Sequence, residues 1–150
     1  MRWVVLFLFL MLIPSIAGAS VFIKDNTPPT AFQVTNQKQL DSITAVHYRV
    51  YIGGYKNDYA NVWIPDPDGD CQRKVAWMME TLRSKGIPSH AMRGYIGLVN
   101  KQWHAWLVVS VILPNGKKAN LLVDSLNRNV SYVGEIKGYS KTRPVVRIDD

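Results

Sequence analysis

The chain has 150 residues, with 18 Lys and Arg against 11 Asp and Glu and a formal net charge of +7. That length favours one domain, and a hydrophobic content of 47% is ordinary for a globular protein, which excludes wholesale disorder. The basic balance suits attraction to acidic surfaces such as envelope polymers or lipid headgroups. No run of Lys and Arg interleaved with aromatics appears, so no nucleic-acid partner is expected.

The N-terminus reads as a targeting segment. Met1-Arg2 gives a short positive start, Trp3 to Ile13 is unbroken apolar sequence, and Ala17-Gly18-Ala19 is a small-residue cleavage pattern. Residues 1–19 are expected to be a signal peptide and residues 20–150 a single domain, placing the protein in the periplasm or outside the cell. The alternative is an uncleaved anchor, for which residues 3–19 are barely long enough to span a bilayer. Only Arg2 is lost on cleavage, so the mature charge is +7 − 1 = +6. The single Cys, Cys71, has no internal disulfide partner. A lone thiol in an oxidising compartment is a liability unless it is buried or used.

Residues 20–35, with Thr27-Pro28-Pro29-Thr30, read as irregular. Thr35 to Tyr51 reads as mostly helical, with Asn36 as N-cap, Leu40, Ile43, Val46 and Val50 near one stripe, and Gly53-Gly54 as its stop. A loop with Tyr59, Trp63, Pro65 and Pro67 follows. Asp68-Gly69-Asp70 then signals a helix start. Cys71 to Ser84 places Val75, Met78, Met79 and Leu82 on one face, with Gly86 as stop and Pro88 beyond it. His90 to Val99 reads as a strand loosened by Gly94 and Gly97, and Gln102 to Leu113 as a long apolar strand. Pro114-Asn115-Gly116 is a hairpin turn leading to a return strand over Lys118 to Ser125. Val130 to Val133 and Pro144 to Ile148 would add short edge pieces. Helices first and antiparallel strands after them mean an α+β fold.

Cys71 opens a helix directly after Gly69-Asp70. The positive end of the helix dipole and the free backbone N–H groups of the first turn favour its thiolate, the nucleophilic form. Of three histidines, His47 reads as a partly exposed helix residue and His90 as structural or exposed. His104 lies near a strand start between Trp103 and Ala105-Trp106, neighbours that would fix an imidazole and exclude water. Asp124 ends the strand that the hairpin returns beside His104, where it could hold the far ring nitrogen. The three candidate catalytic residues are therefore Cys71, His104 and Asp124. An oxyanion hole would draw on the Cys71 backbone N–H, with Trp63 N–H or the Asn61 amide as second donor.

The ordered set of Gly69-Asp70-Cys71, Lys85-Gly86-Ile87-Pro88, His104-Ala105 and Val123-Asp124-Ser125-Leu126, with Trp63-x-Pro65 upstream, resembles the bacterial transglutaminase-like cysteine peptidase family from about Val46 to Val130. The resemblance implies a papain-like or transglutaminase-like α+β core, with the Cys-bearing helix packed on an antiparallel sheet. It also implies a Cys–His–Asp triad and periplasmic work. A protein or peptide substrate such as an envelope or surface protein, a monomer and no cofactor are expected. Calcium-responsive members of that family carry two acidic residues after the Cys. Gln72-Arg73 stands there in this chain, and no metal site is expected. The competing readings are a transglutaminase or cell-wall amidase, and a non-catalytic envelope-binding module on a peptidase-like scaffold. Asp70-Cys71-Gln72-Arg73 fits poorly the Asp-Cys-Ser-Gly usual in cell-wall peptidases.

Overall fold

A computed structural model describes residues 20–57 and 62–150. The expected signal peptide and Asn61 lie outside the described residues.

Helix α1 runs from Gln37 to Tyr51 and α2 from Cys71 to Ser84. Both start as the sequence indicates. Asn36 accepts from the Gln39 N–H and Asp70 from the Arg73 N–H, satisfying donors that the first turn leaves free. The end of α2 is also set locally: Gly86 takes φ +88°, and the Gly86 and Ile87 N–H groups bond to the Arg83 and Leu82 carbonyls.

The strands are β1 (Phe22–Lys24), β2 (Phe32–Gln33), β3 (Met92–Val99), β4 (Gln102–Ile112), β5 (Lys118–Val123), β6 (Ser131–Tyr132) and β7 (Tyr139–Ile148). They form one sheet in the order β1-β7-β3-β4-β5-β6, with β2 running parallel to the end of β4. The other pairings are antiparallel. The main core lies between the helices and one sheet face. There Ile43, Val46 and Val50 of α1 and Val75, Met78, Met79 and Leu82 of α2 meet Ala105, Leu107, Val109 and Val111 of β4. Burying such side chains contributes about 1.5–3 kcal/mol each. A smaller cluster on the opposite face gathers Val99, Trp106, Val108 and Leu122 with Tyr95, Ile136 and Tyr139.

The structure departs from the sequence reading in three places. Residues 20–35 are not wholly irregular, because Phe22–Lys24 pairs with β7 and Phe32–Gln33 with β4. The C-terminal piece is not a short edge: β7 spans 10 residues and lies between β1 and β3. Ser89–Ala91 is a 3-10 turn, so β3 begins at Met92 rather than His90. Gly97 does more than loosen β3. A Cβ there would lie 2.7 Å from the Trp106 ring, so its absence lets that indole pack flat on the strand.

Candidate active site

Cys71 is the first residue of α2 and is half-buried. The loop before it is clamped to α1. Arg49 makes a two-pronged bond to Asp68 at 2.9 Å per arm, and the Asp68 carboxylate also accepts from the Gly54 N–H at 3.0 Å. The Arg49 guanidinium holds the Asp68 carboxyl down at about 2. From α2 itself, buried Lys74 donates to the Val50 and Pro67 carbonyls at 3.0 and 2.8 Å. Gly69 fits only because it lacks a side chain, since a Cβ would lie 2.6 Å from the Arg73 Cβ. The direction of the chain into the Cys71 helix is thus fixed from both sides.

His104 stands on β4 and Asp124 immediately follows β5. Leu107 pairs with Val123, so one step further Asp124 faces Trp106, diagonally beside His104 on the same face. The His104 Nε2 lies 2.6 Å from Asp124 Oδ1. An ionised carboxylate only accepts, so Nε2 carries the proton and donates, leaving Nδ1 for the other side of the ring. Cys71 lines the same cleft as His104, and its thiol acts on the imidazole. Burial pulls the His104 pKa down, but the hydrogen bonds to Asp124 and Cys71 and the charges of both outweigh it and hold it at about 9. The ring also stacks on Trp106, with centroids 6.2 Å apart. The structure therefore brings the three sequence-derived candidates together: Cys71 on a helix start, His104 on a strand, and fully buried Asp124 at a strand end. Cys71 and His104 border a cleft of about 410 Å³ whose lining also includes Gln72, Ile96, Trp103 and Arg143, with Asp124 buried behind the imidazole.

This helix-on-sheet arrangement is the fold of LapG. Calcium-bound LapG from Legionella pneumophila matches with a TM-score of 0.57 and 19% identity over 70% of this chain and 62% of LapG. EGTA-treated LapG matches with the same score and identity over 71% and 61%, and a further LapG structure over 71% and 62%. The match thus spans about three fifths of LapG's length. No protein-family model and no curated protein matches the sequence. The likeness establishes the α+β transglutaminase-like fold.

Three further residues hold Asp124, none of them given that part by the sequence: Tyr139, Leu126 and His47. Tyr139, on β7, donates its hydroxyl to Asp124 Oδ2 at 2.5 Å and accepts from Asn127 Nδ2 at 2.9 Å. Burial, and then the hydrogen bond to Asp124, raise the Tyr139 pKa, so the phenol stays a donor. The Leu126 N–H adds a third donor, to Oδ1, at 3.0 Å. His47 is not the partly exposed residue expected: it is 1% exposed. Its Nε2–H is shared between the Asp124 carbonyl at 3.0 Å and the Asn127 carbonyl at 2.8 Å, tying the turn after β5 to α1. A signal for it existed, because Ile43, Val46, His47 and Val50 fall at i, i+3, i+4 and i+7. Tyr139 had no such signal.

The tryptophans also need revision. Trp106 is 3% exposed and supports the imidazole, but Trp103 is 67% exposed and lines the open side of the cleft. The site is therefore wet on the Trp103 side. The Trp63 indole packs against the core, where a Cβ on Gly94 would meet its ring at 3.2 Å, and it is not among the cleft-lining residues. No cluster of three or more His, Cys, Asp or Glu able to hold a metal occurs among the described residues. Asp70 is engaged in capping α2 and Asp68 in binding Arg49.

Proposed function

We propose that this protein is a thiol hydrolase of the transglutaminase-like cysteine peptidase type, cleaving peptide or amide bonds with Cys71 as nucleophile, His104 as base and acid, and Asp124 as the group that orients it. The observation that carries this reading is the imidazole held between a helix-start thiol and a buried carboxylate. The LapG fold supports it, LapG being a periplasmic transglutaminase-like cysteine protease.

The chemistry follows from the arrangement. With its proton affinity raised, His104 is an imidazolium at neutral pH, and its charge together with the helix start favours the Cys71 thiolate. The thiolate adds to the substrate carbonyl, and the oxyanion meets the free Cys71 backbone N–H. The proposed second donor is the Trp63 N–H or the Asn61 amide. The imidazolium gives its Nδ1 proton to the leaving amine as the C–N bond breaks, leaving a thioester. Neutral His104 then takes a proton from water, hydroxide adds to the thioester, and the thiolate departs as the acid product forms. Exposed Trp103 leaves the cleft wet, which favours water over an amine as acceptor and so hydrolysis over transfer. Asp124 keeps the Nε2–H in place throughout. No cofactor or metal takes part in this scheme.

Residues 1–19 would direct export to the periplasm or beyond, where a monomer acts on a protein or peptide substrate of the envelope or surface. Among the described residues no helix is long and apolar enough to cross a membrane.

The test is alkylation by iodoacetamide at pH 6. Cys71 should label rapidly, His104→Ala should label slowly, and Cys71→Ser should fold normally yet lose all peptide hydrolysis. Slow labelling of the wild type at pH 6, or turnover surviving in Cys71→Ser, overturns the reading.

A further inference from the structure

The cleft beside Cys71 has a charge pattern of its own. Ile96 of β3 pairs with Ala105 of β4 on one side and with Arg143 of β7 on the other, so Arg143, Ile96 and Ala105 form one cross-strand row. All three line the cleft that contains Cys71 and His104. Arg143 is exposed, and its side chain makes no hydrogen bond or ion pair among the described residues. Other arginines differ: Arg49 is paired with Asp68, Arg93 with Asp25, and Arg147 with Asp25 and Asp149. No Asp or Glu is among the described residues that line the cleft. Asp124 behind His104 balances the imidazolium, so the attraction for an anion comes from the Arg143 guanidinium at its own end of the cleft, which no acidic side chain among the described lining residues offsets.

The second feature is Trp103. It lies two residues before Ala105 on β4, hence on the same side, and leaves 67% of its surface in water. An indole so exposed beside the nucleophile is a flat apolar platform for a bound group. Both features sit on sheet strands rather than loops, so their spacing from Cys71 is set by the fold.

We propose that the cleft selects a peptide segment bearing a carboxylate next to the scissile bond: Arg143 receives the carboxylate by a paired N–H···O contact, and Trp103 carries the adjoining apolar surface. This deepens the peptidase reading and rests on it. Arg143 is a specificity-determining residue, not part of the bond-breaking machinery.

The experiment separates the two ideas by using probes that need no peptide. Iodoacetate and iodoacetamide differ in charge and react with the same thiolate. Their alkylation rates at Cys71 are measured at pH 6 for wild type, Arg143→Gln and Arg143→Glu, with circular dichroism confirming the fold of these surface variants. The iodoacetate-to-iodoacetamide rate ratio should fall about tenfold in Arg143→Gln and further in Arg143→Glu, and high salt should shrink the difference. A second arm compares fluorogenic peptides with Glu or Gln flanking the cleaved bond: wild type should prefer Glu, and Arg143→Glu should lose or reverse that preference. If neither reagent labels wild-type Cys71 rapidly, the peptidase reading itself falls. If both label it rapidly and the ratio ignores residue 143, or Gln peptides are cut as fast as Glu peptides, the anionic-substrate inference falls while the peptidase reading stands.

Discussion

Replacing Asp124 separates its charge from its shape. The carboxylate is fully buried and accepts from His104 Nε2, the Leu126 N–H and the Tyr139 hydroxyl. Asp124→Asn can keep an oxygen toward His104 and Leu126 and turn its amide toward the Tyr139 oxygen, which can accept. The geometry survives and the negative charge does not. Burial alone lowers the His104 pKa, and the Asp124 hydrogen bond is the largest effect raising it from 6.5 to about 9. That rise corresponds to about 3 kcal/mol in favour of the imidazolium at 1.36 per decade. In Asp124→Asn the imidazole should therefore titrate near or below 6.5, as read by the His104 ring signals in NMR. Asp124→Ala goes further and strands two neutral donors, at about 1–3 kcal/mol each, so a stability loss of about 2–6 kcal/mol is expected. Per folded molecule, normalised by active-site titration, kcat/KM should fall by about 10² to 10⁴ in Asp124→Ala, or roughly 3–5 kcal/mol of barrier, and by less in Asp124→Asn. A His104 titration unchanged in Asp124→Asn, or near-normal kcat/KM in folded Asp124→Ala, would refute the assignment of the third residue.

Two more expectations follow from the same network. Tyr139→Phe leaves Asp124 Oδ2 without its hydroxyl donor and the Asn127 amide without its acceptor; it should cost about 1–3 kcal/mol of stability by denaturant titration and about tenfold in kcat/KM, and wild-type rates in that variant would confine Tyr139 to packing. Because the folded His104 pKa is raised to about 9, its contribution to stability is complete below 6.5 and is lost as pH rises through 9. Activity should decline over the same upper limb as the proton for the leaving amine disappears, and a flat rate profile from pH 7 to 10 would contradict the imidazolium.

The parts of this molecule that sequence reveals are those set by near neighbours. Asn36 and Asp70 announce their helices because a side-chain oxygen satisfies an N–H three residues on. The Asn115-Gly116 turn pairs β4 with β5 because Gly116 readily takes φ +80°. The meeting of His104 with Asp124 follows from that hairpin alone. The place of β7 was not legible, because a basic strand containing Pro144 reads as an edge, and its pairing with β1 joins residues more than a hundred positions apart. Tyr139 went unseen for the same reason: nothing near it in the chain shows that it will meet Asp124. His47 reads as a surface residue by type alone, whereas its position on the apolar stripe with Ile43, Val46 and Val50 is what buries it.

The bond from His47 to the two carbonyls of the turn after β5 gives the first helix a say in whether the site exists at all. Until α1 docks, nothing holds the Asp124–Asn127 turn from that side, and the imidazole's anchor is loose. A chain caught half-folded would carry its cysteine but not its chemistry. Competence would then arrive only once α1 has docked against the sheet.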